Sequence, residues 1–335
     1  MSARSRALKT VGVAAGVAAG VAGAAYGAQR ALTRNLRNRP DPDAGRLGSI
    51  RFDEERRFPG HDGGSVYAVS RGSGPTFVLS HGVTIDSRVW IKQFDELPEH
   101  GVRIVAFDHR GHGQSSVGDT GHSLDNFSSD VRTVLEGMDL RDVILVGHSM
   151  GGVAAQAFVL AHPEIARERV RGLVLLSTFA RTPFTALSSR GLGPRIAGWL
   201  DLAGVMRQPQ LGLMVARLGF GREPFASHVE LARRMLAECD PTTAREAVAA
   251  LLDVDFLDGL SRIDCPTLVL SGTADVLTPP AEARRIAERI PGARLELLER
   301  AGHMLMLERT DELHALLLDF AHEVGVLPAA EAASA

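Results

Sequence analysis

Apolar positions along this 335-residue chain fall into two alternating patterns: short β-branched runs, and longer segments with helical spacing. Ile50–Phe58, Ser65–Ser70, Thr76–Ser80, Arg103–Phe107, Val143–Val146, Gly172–Ser177, Thr267–Ser271 and Arg294–Leu298 are the short runs. Gly, Pro, Asp and Ser bound them, which predicts strands. The turn His61-Asp62-Gly63-Gly64 joins the first two. Trp90–Leu97, Leu124–Met138, Pro280–Ile290 and Leu305–His322 carry the helical spacing. The central short runs are apolar at almost every position, as strands covered on both faces must be. This alternation predicts an α/β fold: a mostly parallel sheet flanked by helices.

One block breaks the alternation. Between Ser177 and Thr267 lie about ninety residues without a clear strand. They contain the helical stretches Pro194–Leu202, Gln210–Leu218, Ser227–Cys239 and Thr242–Leu252. A stretch that long inside a compact domain must be an inserted element. It predicts a helical cap, residues 181–263, over the sheet's C-terminal edge. Residues 50–180 and 264–325 form the core, residues 29–49 with Pro40, Pro42, Gly45 and Gly48 a linker, and the Ala-rich residues 326–335 a disordered tail.

Residues 1–28 form a hydrophobic N-terminal segment. Arg4, Arg6 and Lys9 precede the uncharged run Val11–Ala28, and Arg30, Arg34, Arg37 and Arg39 follow it. The run reaches the lower length limit for a bilayer span, and Gly12-x-x-x-Gly16-x-x-x-Gly20 offers a close-packing face. Ala and Gly are weakly apolar, however, and Ala22-Gly23-Ala24 fits a signal cleavage site. The expectation is membrane association through residues 11–28. A cleaved signal with secretion, or a cytoplasmic protein with a peripheral tail, are the alternatives.

Composition narrows the picture further. Hydrophobic content of 45% and charged content of 23% suit a globular protein. A net charge of -3, with no basic stripe, gives no reason to expect nucleic acid. Cys239 and Cys265 stand alone, so neither a disulfide framework nor a cysteine metal site is indicated. Gly72-Ser73-Gly74 joins no strand to a crossover helix, and no Lys-bearing phosphate loop exists. No cofactor is expected.

The candidate chemistry sits at Gly147-His148-Ser149-Met150-Gly151, a G-x-S-x-G match between the strand Val143–Val146 and a helical pattern opening at Gly152. A serine on such a sharp turn is strained, and glycines two residues either side relieve the clash. The turn lifts the hydroxyl off the sheet beside a helix N-terminus.

With His81-Gly82, Asp108–Ser115, Gly147–Gly152, Gly272-x-x-Asp275 and Gly302-His303 in order, residues 50–325 resemble the α/β-hydrolase fold enzymes. That resemblance implies a triad in the order Ser149, Asp275, His303. Some relatives carry the acid one strand earlier, but Ser177-Thr178-Phe179-Ala180-Arg181 offers no carboxylate there. Oxyanion donors are implied at the amides of Met150 and Val83, with His81, Gly82, Gly147 and Gly151 supporting. In the same family the loop His109-x-x-His112 is most often structural, and no metal is expected there. Ser149 argues against epoxide hydrolases and dehalogenases, which resemble this chain but place an aspartate at the elbow. Acyl chemistry remains, on a small-molecule acyl ester, with lipid-like acyl groups among the candidates. The elbow residues Gly147–Gly152 also look like those of monoacylglycerol lipases. Perhydrolase or cofactor-free peroxidase, amide, thioester and C–C chemistry are alternatives on the same triad, and a non-catalytic binding protein is the bland one.

Overall fold

A computed structural model describes residue 36, residues 38–182 and residues 202–328. Eight strands form one sheet: β1 Glu54–Pro59, β2 Ser65–Arg71, β3 Thr76–Ser80, β4 Arg103–Asp108, β5 Val143–His148, β6 Val170–Leu176, β7 Thr267–Gly272 and β8 Arg294–Leu298. Their spatial order is β1-β2-β4-β3-β5-β6-β7-β8. β2 is antiparallel to both neighbours, and from β4 onward every pair is parallel. The expected α/β architecture is present. β5 and β7 are buried at every position, the consequence of helices on both faces. β1 starts four residues later than the apolar pattern from Ile50 predicts. Its partner β2 ends at Arg71, so pairing starts at Glu54 opposite Ser70.

The helices are α1 Ile91–Glu96, α2 Leu124–Gly137, α3 Met150–Ala161, α4 Pro163–Arg169, α5 Leu202–Arg207, α6 Pro209–Arg217, α7 Ala226–Glu238, α8 Pro241–Leu251, α9 Pro280–Ala287, α10 Leu305–Glu308 and α11 Thr310–Glu323. On one face of the sheet Trp90, Phe94, Leu305, Leu317 and Phe320 share a core with Met206, Leu213 and Val229 from α5–α7. On the other, Phe127, Val131, Val153, Phe158 and Ile286 pack together. α2 starts at Ser123, whose hydroxyl accepts the Asn126 N–H, and α8 at Asp240, which accepts the Thr242 and Thr243 N–H groups.

α5–α8 occupy the block read as a cap; Pro194 to Asp201 lies outside the described residues. Residues 41–49, read as part of a linker, lie against this block. Asp41 accepts the Ser227 N–H at 2.8 Å, and Asp43 meets His228 Nε2 at 2.8 Å and Lys92 Nζ at 3.1 Å. Among the described residues no helix is long and apolar enough to cross a membrane. The run 11–28 lies outside them, as do residues 329–335 of the expected tail.

Candidate active site

Register brings the site together. Ser80 lies opposite Gly147, and Gly272 opposite Leu298, so β3, β5, β7 and β8 all end at one edge. Ser149 follows β5, Asp275 follows β7, and His303 follows β8.

Ser149 has φ +53° and ψ −118°, a strained conformation for a non-glycine residue. Neighbouring bonds hold it there. Its N–H donates to Leu176 O at 3.0 Å, and its carbonyl accepts Thr178 Oγ1 at 2.7 Å and the Gly152 N–H at 2.9 Å. The flanking glycines are required by close approach. A Cβ on Gly147 would sit 2.5 Å from Gly151 O, and one on Gly151 would sit 2.2 Å from Ser80 O. The expected elbow geometry is therefore present at Ser149. Met150 is the first residue of α3, where an N–H has no partner within the helix.

His303 Nδ1–H donates to Asp275 Oδ2 at 2.9 Å, and both residues are buried. Burial pushes the Asp275 carboxyl up. His303 and the hydrogen bonds from His303 and Thr278 outweigh it, holding the group below the usual carboxylate range. Asp275 Oδ1 accepts the N–H groups of Leu277 and Thr278, each at 2.9 Å. The carboxylate is thus both the imidazole's partner and the anchor of its own turn. The His303 N–H donates to Gly219 O at 2.9 Å, joining the loop to the end of α6.

Gly82 and Val83 lie beside the elbow. A Cβ on Gly82 would sit 3.1 Å from Ser149 Cβ and 3.0 Å from His148 Nδ1. The Thr84 N–H donates to His112 Nε2 at 3.1 Å, while Val83 lines the cavity above Ser149. His81 is turned inward: its Nδ1–H donates to Gly82 O at 2.7 Å and its Nε2 accepts the His109 N–H at 2.9 Å. Burial, then the nearby His109 and His112, hold it neutral. His112 donates from Nδ1 to Arg110 O at 2.9 Å, and Arg110 is fixed by Asp130 and Asp62. These rings brace the loop.

Ser149 and His303 open into a cavity of about 330 Å³. Met206, Leu236, Val248 and Leu252 line it from the α5–α8 block, Phe179 and Phe220 from its flanks. Among the described residues, no Asp, Glu, Lys or Arg lines it. A second cavity of about 380 Å³ lies away from Ser149 and is bordered by charged groups such as Lys92 and Asp43.

Sequence reasoning missed three residues here. Thr278 Oγ1 lies 2.7 Å from Asp275 Oδ2 and 3.1 Å from His303 Nδ1. The spacing Asp275-x-x-Thr278, an Asx-turn pattern, was the available signal. Glu308 accepts the N–H groups of Gly221 and Gly302, at 2.6 and 3.0 Å, tying the His303 loop to the segment after α6. His148, the interchangeable position of the G-x-S-x-G pattern, donates from Nε2 to the His303 carbonyl at 3.0 Å. Neither carries a local sequence signal.

Residues 75–310 match the alpha/beta hydrolase fold. The chain belongs to that family. Among curated members of the α/β-hydrolase family, it is 30% identical over 266 residues to a putative non-heme chloroperoxidase of Synechocystis sp., covering 76% of this chain and 94% of that protein. It is 31% identical to a non-heme chloroperoxidase of Streptomyces lividans, covering 77% and 96%. Among solved α/β-hydrolase structures, an esterase of Exiguobacterium antarcticum superposes with a TM-score of 0.68 at 25% identity, covering 79% of this chain and 98% of that one.

Proposed function

We propose that this α/β-hydrolase cleaves carboxylic esters of uncharged, largely apolar acids through an acyl-enzyme on Ser149. The observation that carries this reading is the cavity: the candidate nucleophile and base face a space walled mostly by aliphatic and aromatic side chains and, among the described residues, free of Asp, Glu, Lys and Arg.

In this reading His303 Nε2 takes the Ser149 hydroxyl proton as Oγ bonds to the substrate carbonyl carbon. Asp275 keeps the imidazole in the Nδ1–H tautomer and stabilises the imidazolium. The Met150 and Val83 amides are the proposed donors to the oxyanion. His303 then passes its proton to the departing alcohol oxygen as the C–O bond breaks. A water molecule, deprotonated by the same nitrogen, releases the acid and restores Ser149.

A chain-length series of p-nitrophenyl esters tests the reading. Each buried methylene is worth ~0.8 kcal/mol, roughly a fourfold rise in kcat/KM per carbon until the cavity is full. An acyl group of equal length ending in a carboxylate should react at least ~100-fold more slowly, because burying an unpaired charge costs several kcal/mol. Equal or faster turnover of the charged ester would sink the proposal.

The names of the chloroperoxidase relatives favour a second reading. Hydrogen peroxide attacking the same acyl-enzyme in place of water releases a peroxy acid and free Ser149, and peroxy acids oxidise halides. Halide oxidation that requires both a short carboxylic acid and peroxide, and is lost in Ser149→Ala, would support it. Peroxy acid formation unaffected by Ser149→Ala would exclude it.

A further inference from the structure

We propose that Thr278 is a positioning residue, whose hydroxyl sets the orientation and the proton-attracting strength of Asp275 toward His303. The inference rests on the triad reading above. Its basis is a three-way contact at one carboxylate oxygen. Asp275 Oδ2 receives His303 Nδ1–H at 2.9 Å and the Thr278 hydroxyl at 2.7 Å, while Thr278 Oγ1 also lies 3.1 Å from His303 Nδ1. The proton inventory leaves one consistent arrangement. The carboxylate has no proton to give, so the Thr278 O–H donates to Oδ2. The imidazole N–H then points at Oδ2, with the threonine oxygen's lone pairs alongside. Asp275 Oδ1 is already taken by the Leu277 and Thr278 N–H groups. Every direction in which the carboxylate could rotate is closed, and Thr278 supplies two of the four bonds that close them. Thr278 is itself buried and borders the substrate cavity.

A hydroxyl donating to Oδ2 draws electron density from the oxygen that faces the imidazole. It therefore restrains Asp275's pull on the His303 proton while holding the oxygen in place. Without it, the imidazole should keep its proton to higher pH, and the carboxylate should lose one rotational restraint. Among the described residues, the titratable groups around His303 are Asp275, the His148 ring at a centroid distance of 4.7 Å, and Glu308, which accepts the Gly302 N–H. A change at Thr278 substitutes none of them.

The test is the rate of Ser149 modification by a fluorophosphonate as a function of pH, which needs no knowledge of the natural substrate. Thr278→Val keeps the shape and removes the hydroxyl; Thr278→Ser keeps the hydroxyl and removes a methyl. We expect the acid limb of the Thr278→Val profile to move upward by about half a pH unit or more, with the plateau rate several-fold lower. Thr278→Ser should follow the unmodified profile. An acid limb that stays in place in Thr278→Val, or one that moves equally in Thr278→Ser, overturns the proposal and leaves Thr278 as packing. Unmodified protein that fails to label at Ser149 is a different result: it removes the triad reading, and the role of Thr278 falls with it. Should Thr278→Val fold poorly, Thr278→Ser and Thr278→Ala decide between hydroxyl and volume. Recovery of the profile by Ser but not Ala supports the hydroxyl, and equal defects in both reject it.

Discussion

At the scale of single residues, Asp275 separates a working triad from a structural turn. Asp275→Asn keeps an Oδ1 acceptor for the Leu277 and Thr278 amides, and so keeps most of the turn. It places an amide where Oδ2 accepts the His303 N–H, which favours the wrong imidazole tautomer. If the triad reading holds, turnover should fall on the order of 10⁴-fold, as in a protease triad, or ~5–6 kcal/mol of transition-state stabilisation. A role confined to capping would cost about 1 kcal/mol of stability with turnover per folded molecule unchanged. Thermal midpoint and turnover measured on one preparation distinguish the two. The named residues were legible because each stands in a short pattern tied to backbone geometry: Gly147 to Gly151 around a strained serine, Gly272-x-x-Asp275 after a strand, Gly302-His303 after the last one. Glu308 and His148 were not legible. Glu308 reaches the backbone of nearby Gly302 and distant Gly221, and His148 the distant His303 carbonyl; none of these backbone groups carries a side-chain signature.

At the scale of elements, strands and core helices follow the apolar pattern closely, because burial on both faces leaves little freedom in composition. The segment before β1 does not. Pro42, Gly45 and Gly48 read as a linker, yet Asp41 and Asp43 bind Ser227, His228 and Lys92. Polar residues that pair over such distances look the same in sequence as solvated ones. The α5–α8 block was legible as helical, but its lining residues were not, since a packed helix and a substrate wall share one composition. Leu236 on α7 tests the proposed wall. Leu236→Trp should lower kcat/KM for octanoate-length esters at least tenfold and leave an acetate ester within about twofold. Leu236→Ala should move the preferred acyl length upward by one or more carbons. An unchanged length profile in both variants would place acyl selection elsewhere.

At the scale of the whole molecule, buried histidines should make the fold acid-sensitive. Burial lowers His112 and His314 to about 4, and it holds His81 and His148 well below the ordinary value of 6.5. Between pH 4 and 6.5 the unfolded chain takes up protons that these folded side chains refuse, so stability rises with pH across that window and is complete above it. Asp108 acts in the opposite sense. Burial and the Asp86 charge raise it to about 6, so the folded chain keeps a proton that the unfolded chain gives up near 3.8. Burial raises Glu308 as well and lowers His228, so five histidines stand against two carboxylates and outweigh them. The thermal midpoint should climb by on the order of several degrees from pH 4.5 to 7 at fixed ionic strength; a flat or falling midpoint would contradict this balance. Whether Ser149 carries the acyl group is read directly by mass spectrometry of protein quenched during turnover of p-nitrophenyl butyrate. A butyryl adduct, adding about 70 Da through an ester to the serine oxygen, is expected on the peptide containing Ser149 and none in Ser149→Ala. Sustained turnover in Ser149→Ala, with no adduct on that peptide in the unmodified protein, would contradict it.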